Sequence, residues 1–445
     1  MAHEYFALQK QGTWSLIPPP PNASIIGCKW TYRTKLHSDG SIARFKARLV
    51  ALGNRQEYGI DYEETFSPVA KLPTIRILFT VALYHGWQVQ QLDVEKAFLH
   101  GNLSETVYMS QPKGFEDSSH PTHVCRLHKA IYGLKQSPRQ WYNTFTTHLI
   151  SLGFSHSKSD SSLLIRKQPS STIFLLIYVD DILITGNNSS AIFDLLQKLN
   201  QTFAMKHLGT AHSFLGINIT TKPNQYFLSQ PQYAKSILQQ AGMSSSNSLA
   251  NPNCTKLPQQ FGNDPILSDP QNYRKITGSL LYLTITRPDI SYSVNILSQH
   301  MHNPMPEHIY LLKRLLRYIS GTQYFGIPIT KHNLSLTSFS DADWAGDPLS
   351  RKSTSGFCSF LDTTLISWRV KKQHTVARSS TESEYRALAA ASADLIWLRR
   401  ILADFQVPLD KPTDLYCDNT STIALANNPV YHARTKHIEI DHRFI

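Results

Sequence analysis

The chain has 445 residues, which is long for one hydrophobic core and predicts two or three domains. Its composition is globular, with 41% hydrophobic and 17% charged residues, and its apolar runs fall far short of the roughly 20 residues that span a bilayer. The N-terminal "MAHEYFALQK" has no apolar signal segment and the five cysteines form no CxxC pair, so a soluble, intracellular protein without membrane, zinc site or disulfide framework is expected.

The net charge of +12 is unevenly distributed along the chain. Residues 1–330 hold 30 Lys/Arg against 19 Asp/Glu, whereas residues 331–445 hold 14 against 13. A basic excess of this kind suits a polyanion such as nucleic acid, although many globular proteins are simply basic. We therefore expect any nucleic acid to run along the first 330 residues.

Three regions follow one another in the hydrophobic pattern. Residues 1–245 mix short strands with helices, such as "LPTIRILFTVALYHG", which stops at Gly86, and "SSAIFDLLQKLNQTF", which begins behind a Ser N-cap. Residues 246–330 begin with a polar, proline-containing connector and continue as helices, notably "EHIYLLKRLLRYISG". Residues 331–445 open with the strand-like "LSLTSFSDADWAG".

The segment "FLLIYVDDILITG" predicts a hairpin whose tight turn is Asp180–Asp181. Aspartate is disfavoured inside strands and common in turns, so the two strands can be buried while both carboxylates emerge into a cleft. Adjacent like charges raise each other's pKa unless a cation lies between them, and a divalent metal ion would supply that cation. The alternative is a hairpin in which Asp-Asp is only a favourable turn.

A third carboxylate, Asp93 in "QVQQLDVEKAFLHG", again ends a strand-like run. Three carboxylates from two strands could hold two Mg²⁺ ions about 3.5–4 Å apart, the arrangement that clamps the attacking and leaving oxygens in phosphoryl transfer. Phe98 would stand near this site. Glu95 is expected to point away and to be solvated.

Several longer motifs occur in a fixed order along the chain. They are "RFKARLVALGNRQEYGIDYEETFSPVAK", "VYMSQPKGF", "LHKAIYGLKQSPRQWY" and "YVDDILITG". This ordered set resembles the reverse transcriptase of copia-type LTR retrotransposons, and the resemblance covers essentially the whole chain. It implies that Asp93, Asp180 and Asp181 are the metal-binding catalytic triad.

The resemblance also implies contacts to the incoming nucleotide. Phe98 matches the aromatic steric gate against a ribonucleotide 2′-hydroxyl, with a core residue as the less favoured alternative. "RFKARLV" matches the strand whose cations grip the triphosphate; Arg44, Lys46 and Arg48 would share one strand face, and Lys46 and Arg48 are favoured. A solvated edge strand would show the same alternation.

Two further contacts follow from the same resemblance. Gln136, in "GLKQSPRQW", is expected to contact template or nucleotide. Lys206 falls where relatives offer a lysine near the leaving pyrophosphate, although a surface lysine is an equal alternative and His207 stands where an Asp is usual. "FLGI", residues 214–217, resembles the turn that holds the primer end.

The C-terminal region offers a second set of acids. Asp341 lies near the end of one predicted strand, Glu384 in the first turn of the long amphipathic helix "SSTESEYRALAAASADLIWLRRILADF", and Asp418 at the end of another strand. Any single one could be an ordinary helix cap. Together and in this order they resemble the RNase H domain that follows the polymerase in the same family. This resemblance implies that Asp341, Glu384 and Asp418 are catalytic, metal-binding acids.

Several assignments in this C-terminal region stay open. Glu382 and Asp343 are the nearby alternatives to Glu384 and Asp341. The fourth acid of the site is either Glu439 or Asp441, both in "RTKHIEIDHRFI". Because relatives continue beyond the position of the last residue, the RNase H-like domain is expected to lack its final element.

The predicted fold is α+β: a right-hand polymerase with an RNase H-like domain that contains a mixed β-sheet. Fingers and palm are expected in residues 1–245, a helical thumb or connection in 246–330, and the RNase H-like domain in 331–445.

The predicted function is RNA-directed DNA polymerisation with a linked RNase H, using Mg²⁺ or Mn²⁺. The expected partners are an RNA template, a DNA primer, an RNA–DNA hybrid, dNTPs and other Pol or Gag products, in the cytoplasm (in a virus-like particle) or the nucleus. The alternative is a degenerate retroelement remnant that binds nucleic acid without catalysis. A phosphatase or nuclease of another fold would not explain "YGLKQSP".

Overall fold

A computed structural model describes residues 1–36, 41–254, 256–262 and 265–427. The chain divides into two compact units, one formed by residues 1–70 and 90–209 and the other by residues 71–89 and 210–445. In the described part of the chain, no helix has the length and apolar character needed to cross a membrane.

The described residues form helices from one end of the chain to the other. In chain order these are α1 (Ala2–Lys10), α2 (Leu72–His85), α3 (Ser137–Ser151), α4 (Ser189–Thr202), α5 (Pro231–Gln240), α6 (Pro265–Ser268), α7 (Pro270–Leu283), α8 (Ser291–Ser298), α9 (Pro306–Gly321), α10 (Ser380–Asp404) and α11 (Thr420–Asn427).

Among the described residues, the strands belong to five sheets. The first ten are β1 (Trp14–Ile17), β2 (Ile25–Ile26), β3 (Cys28–Leu36), β4 (Ile42–Ala51), β5 (Gln90–Val94), β6 (Asn102–Met109), β7 (Val124–Lys129), β8 (Ser155–His156), β9 (Leu163–Gln168) and β10 (Ser171–Tyr178). The others are β11 (Asp181–Gly186), β12 (Met205–Thr210), β13 (Ser213–Phe214), β14 (Ile217–Lys222), β15 (Gln225–Ser229), β16 (Gly326–Thr330), β17 (Leu336–Ala342), β18 (Thr354–Leu361), β19 (Thr364–Lys372) and β20 (Asp414–Tyr416).

The first unit is built on a six-stranded sheet with the order β12-β5-β11-β10-β9-β8. Strand β10 is buried from Ser171 to Ile177 because both of its faces are covered. Helices α3 and α4 contribute Trp141, Phe145 and Leu195 to the same core cluster as the strand residues. Each large side chain buried in this way contributes about 1.5–3 kcal/mol, so the central strands are held rigidly.

Two smaller sheets complete the first unit. One has the order β1-β7-β6-β2, and the other is the hairpin β3–β4. In the hairpin, Thr31 pairs with Arg48 and Arg33 with Lys46. Since side chains alternate along a strand, the predicted common face of Arg44, Lys46 and Arg48 exists.

The second unit combines a helical cluster with two four-stranded sheets. Helices α5, α7, α8 and α9 share one hydrophobic core. One sheet has the order β13-β14-β15-β16, and the other has the order β19-β18-β17-β20. In the latter, β17 is parallel to β20 and antiparallel to β18, so this is a mixed sheet.

The helices predicted from hydrophobic spacing agree closely with the structure, and one helix start is corrected. Helix α2 ends at Gly86, whose φ of 73° is the left-handed conformation that glycine adopts without strain. The buried stripe of α10 contains Tyr385, Leu388 and Leu402, as the spacing predicts. Helix α4 is capped by the side chain of Asn188, not by a serine, because the Asn188 side chain accepts a hydrogen bond from Ala191 N.

Candidate active site

The β10–β11 hairpin has a different turn from the one predicted. Tyr178 pairs directly with Asp181, so the turn residues are Val179 and Asp180 and Asp181 is the first residue of β11. Val179 has a φ of 54°, which is costly for a β-branched residue. The buried Trp141 indole donates a hydrogen bond to Val179 O at 2.7 Å. The hydrophobic core therefore holds the turn that presents Asp180.

Asp93 lies directly opposite Asp181 on the neighbouring strand β5. Val94 N donates to Asp180 O at 3.0 Å, which makes Asp93–Asp181 a non-hydrogen-bonded pair, with Cα atoms about 4.5 Å apart in such pairs. Directly opposed side chains lie on one face of the sheet, where two like charges are unfavourable. Asp93 and Asp181, on two adjacent strands, and Asp180, in the turn before Asp181, are therefore brought together.

The electrostatics of this group favour a bound cation. Burial, followed by the charges of Asp180 and Asp93, raises the pKa of Asp181 to about 6, against a hydrogen bond from Gln91. Burial is also the main cause of the raised pKa of Asp180, with Arg48 opposing it. Oxygen ligands in such a cluster suit Mg²⁺, and a divalent ion would relieve the repulsion, so the donor set fits a metal.

A cavity of about 570 Å³ opens beside Asp93 and Asp180. Its lining comes from the N-terminal segment, β4, the end of β5 and the residues after it, the loop before α3, the β10–β11 turn and β12. The lining residues are Met1, His3, Glu4, Arg44, Phe45, Lys46, Ala47, Arg48, Asp93, Val94, Glu95, Lys96, Tyr132, Asp180 and Lys206. Five of these residues are Lys or Arg. The predicted cations Lys46, Arg48 and Lys206 thus surround one space next to the carboxylates.

Tyr132 is a cavity residue that the sequence analysis did not single out, although it lies within the quoted "YGLKQSP". The Arg48 guanidinium lies 4.5 Å from the centre of its ring. On another side, the ring of Phe98 contacts it edge to face at a centroid distance of 4.9 Å. Phe98 also packs against the core of the six-stranded sheet and does not itself line the cavity. Tyr132 therefore links a cavity cation to the predicted steric gate.

The backbone explains why this loop lies against β4. Ala51 N donates to Tyr132 O at 2.8 Å. A Cβ atom on Gly133, whose φ is 96°, would approach Ala51 O to 2.1 Å. Only glycine permits this approach, and it fixes Tyr132 at the cavity.

Gln136 lies apart from the cavity. Its side chain is fully buried; its Nε2 donates to Asp61 O at 2.8 Å and its Oε1 accepts from Gln56 Nε2 at 3.0 Å. The amide therefore connects the loop of residues 56–61 to the start of α3. Its predicted contact to a nucleotide has no counterpart among the cavity-lining residues described here.

Glu95 is exposed, as expected, but it does not point away from the site, because it lines the cavity and pairs with Lys206. Hydrogen bonding to Lys206 is the main cause of the lowered pKa of Glu95. Both side chains are about half exposed, so this pair adds little stability. Lys206 can therefore exchange Glu95 for another anion at low cost.

The second predicted group of acids lies at one end of the mixed sheet. Phe339 pairs with Tyr416 between the parallel strands β17 and β20, and Asp341 and Asp418 each follow this pair by two residues. Glu384, in the second turn of α10, accepts a hydrogen bond from Ala342 N at 3.2 Å, and the charges of Asp341 and Asp418 both act on it. The structure therefore brings Asp341, Glu384 and Asp418 together.

The environment of Glu384 resembles that of a metal ligand. Burial, followed by the charges of Asp341 and Asp418, raises the pKa of Glu384 to about 7. Ligand-type atoms of Glu384, Cys417 and Asp418 lie within 4.8 Å of one another. Cys417 was not predicted here, and its position next to Asp418 in the sequence is the only signal that could have indicated it.

The alternative acids near this group already have local partners. Glu382 pairs with Arg386 and accepts from Arg378 N, and Asp343 accepts from Thr354 N at 2.6 Å. Glu439 and Asp441 lie outside the described residues.

A second cavity, of about 380 Å³, lies between the mixed sheet and α10. Its Lys and Arg lining side chains are Arg369, Lys371, Lys372 and Arg386, and His374 also lines it. No carboxylate is among the described residues that line it. The C-terminal region is therefore nearly neutral overall but locally basic at this cavity.

Comparison with known proteins identifies the family. The chain matches the reverse transcriptase (RNA-dependent DNA polymerase) family over residues 11–255. It is 48% identical over 435 residues to the retrovirus-related Pol polyprotein from transposon RE2 of Arabidopsis thaliana. It is 37% identical over 459 residues to the corresponding polyprotein from transposon TNT 1-94 of Nicotiana tabacum. These matches cover 97% and 100% of this chain but only 30% and 34% of the relatives, so the chain spans about a third of their length.

A shorter relative is matched almost completely. The putative transposon Ty5-1 protein YCL074W of Saccharomyces cerevisiae is 31% identical over 298 residues, which are 66% of this chain and 97% of that protein. A solved telomerase from Candida albicans with a fragment of telomeric RNA aligns with 71% of this chain and 67% of its own at 10% identity, but its TM-score of 0.27 supports no argument about fold. The resemblance predicted from the motifs is confirmed: the chain belongs to the reverse transcriptase (RNA-dependent DNA polymerase) family and has Pol polyproteins of copia-type retrotransposons as its relatives.

Proposed function

We propose that this chain is an RNA-directed DNA polymerase that extends a DNA primer on an RNA template with dNTPs. The observation that carries the proposal is the meeting of three carboxylates, Asp93 and Asp181 on adjacent strands and Asp180 in the turn, beside a cavity lined by five Lys or Arg side chains. Polymerisation needs negative ligands for cations next to a positive surface for a triphosphate.

The three aspartates would hold two divalent ions. These would be Mg²⁺, and Mn²⁺ is the alternative. When bound, these ions would acidify the primer 3′-hydroxyl and stabilise the pyrophosphate leaving group. Lys46 and Arg48 bind the triphosphate, and Lys206 exchanges its contact with Glu95 for the leaving pyrophosphate. Base pairing with the template supplies sequence specificity.

Tyr132 takes the nucleotide contact expected of Gln136, because Tyr132 lines the cavity and Gln136 is enclosed. With Phe98 packed on one side and Arg48 on another, the Tyr132 ring forms a fixed wall for the sugar and triphosphate. In this arrangement Phe98 contributes to sugar selection by holding Tyr132 in place.

The C-terminal region is proposed to be a linked RNase H. Asp341, Glu384 and Asp418 would hold divalent ions there, since a carboxyl with a pKa of about 7 among like charges is relieved by a cation. The basic cavity between the mixed sheet and α10 would bind the backbone of the RNA–DNA hybrid, whose phosphates attract Lys and Arg.

Primer extension on an RNA template with dNTPs and Mg²⁺ tests the polymerase. The native chain should extend the primer, and Asp180→Asn with Asp181→Asn should abolish extension while primer–template binding persists. Asp194→Asn is the matched control, because Asp194 is exposed on α4 outside the site. If the folded native chain binds primer–template without extending it, the chain is a nucleic-acid-binding remnant and the proposal is wrong.

A further inference from the structure

The N-terminal helix α1 forms one wall of the cavity beside the aspartates. Met1, His3 and Glu4 line the cavity, and they come from an element to which the sequence analysis assigned no role. Leu8 is 3% exposed in a core cluster, and Tyr5 stacks on Phe115 at a centroid distance of 4.5 Å. Helix α1 is therefore an integral part of the first unit, and its position at the cavity is fixed by packing.

Glu4 places a largely buried carboxylate in a cavity suited to anions. Its side chain is only 11% exposed, and its Oε2 lies 4.0 Å from Lys96 Nζ. At that distance the pair is at the outer limit of an ion pair, so the carboxylate is only partly compensated. The proposed reaction uses the other cavity carboxylates but not this one.

A fixed carboxylate here acts on any bound phosphate in two ways. It repels phosphate oxygens directly, and it reduces the attraction of neighbouring cations such as Lys96 and Lys46. Both effects scale with the negative charge that enters. A bare polyphosphate is therefore penalised more than a triphosphate whose charge is partly neutralised by a divalent ion.

We propose that Glu4 is an affinity-tuning residue of the nucleotide cavity, which weakens binding of metal-free polyphosphate and so favours the metal complex of a dNTP. This inference rests on the proposed polymerase function, since it assumes that the cavity receives a triphosphate. It adds a specificity residue from a helix that contributes none of the catalytic acids.

The direct test is a calorimetric titration of the full chain with inorganic tripolyphosphate in EDTA, which requires no catalysis. Glu4→Gln removes the charge with almost no change of shape and should bind tripolyphosphate about threefold to tenfold more tightly, as expected for removing one partly screened like charge. Glu4→Asp keeps the charge and should bind as the native chain does. Glu63→Gln, which neutralises an exposed glutamate that does not line the cavity, is the matched control and should also bind as the native chain does.

A kinetic measurement extends the test to the reaction. In primer extension, Glu4→Gln should reduce the difference between the inhibition by tripolyphosphate at low Mg²⁺ and the inhibition at high Mg²⁺. Unchanged or weaker tripolyphosphate binding by Glu4→Gln, with native circular dichroism, would show that Glu4 only positions Lys96 and would overturn the inference. If the native chain fails to extend a primer, the polymerase proposal fails, whereas the titration still decides the role of Glu4.

Discussion

Replacing Asp181 by asparagine should stabilise the β10–β11 hairpin at neutral pH while it abolishes polymerisation. The pKa of Asp181 is raised to about 6 by burial and by Asp180 and Asp93, whereas the unfolded value is about 3.9. A shift of about two units corresponds to about 3 kcal/mol for a fully buried group, and partial exposure reduces the expected effect to about 1–2 kcal/mol.

The sign of the pH dependence follows from the raised pKa. Below about pH 4 the carboxyl is protonated in both states, so Asp181 costs the native state nothing. Between about pH 4 and pH 6 the unfolded state loses its proton first, and native stability falls as pH rises through that window. Above about pH 6 the full cost is present, and asparagine, which cannot ionise, avoids it.

Hydrogen exchange of the β10–β11 amides, measured in EDTA, reports the local opening free energy without assuming that the whole chain unfolds as one unit. We expect Asp181→Asn to slow this exchange at pH 7.5. At pH 4.5, the difference in opening free energy between the variant and the native chain should fall to about a third of its value at pH 7.5. Mg²⁺ should reduce this difference between the variant and the native chain, because it should stabilise only the native chain, which keeps Asp181. Asp194→Asn, on the exposed face of α4, should show neither effect. Faster exchange at pH 7.5 in Asp181→Asn would refute the electrostatic reasoning.

Three further predictions concern the two sites. Trp141→Phe removes the donor to Val179 O and leaves this partly buried carbonyl unsatisfied, at a cost of about 1–3 kcal/mol. The substitution should lower kcat for primer extension with little change in the KM for dNTP. An unchanged kcat would contradict a positioning role for Trp141. Arg48→Gln should raise the KM for dNTP about tenfold or more. Arg33→Gln, on the partner strand of the hairpin, is the control and should leave the KM near the native value. Equal effects of the two substitutions would mean that the hairpin acts only through its overall charge. Glu384→Gln should abolish release of labelled RNA from an RNA–DNA hybrid while primer extension persists, and residual cleavage at the native rate would exclude Glu384 from the second site.

Much of the candidate site could be predicted because short-range chemistry marks it. An acid placed at the end of an apolar run has few favourable positions other than a turn or strand end that opens into a cleft, which is why Asp93, Asp180 and Asp181 could be selected and were found together. The helices were predictable for a similar local reason, since a buried stripe such as that of α10 must repeat with the helical period.

The residues whose surroundings the sequence did not indicate depend on contacts between distant segments. Gln136 and Tyr132 lie four residues apart in one motif, and only the packing of their loop against β4 turns Tyr132 into the cavity and encloses Gln136. Glu4 reaches the cavity because Tyr5 and Leu8 anchor α1 in a core built from later strands.

The sequence by itself determined the residue types of both sites, the hydrophobic period of the main helices and the family, because each is recorded in neighbouring residues. The tertiary structure decided which face of each segment meets which other segment. The one-residue difference that moves Asp181 from the turn into β11, and opposite Asp93, is set by strand register across the sheet and by the Trp141 hydrogen bond to the turn. The register depends on the pairing energy summed over whole strands, so it cannot be predicted from any single stretch of sequence.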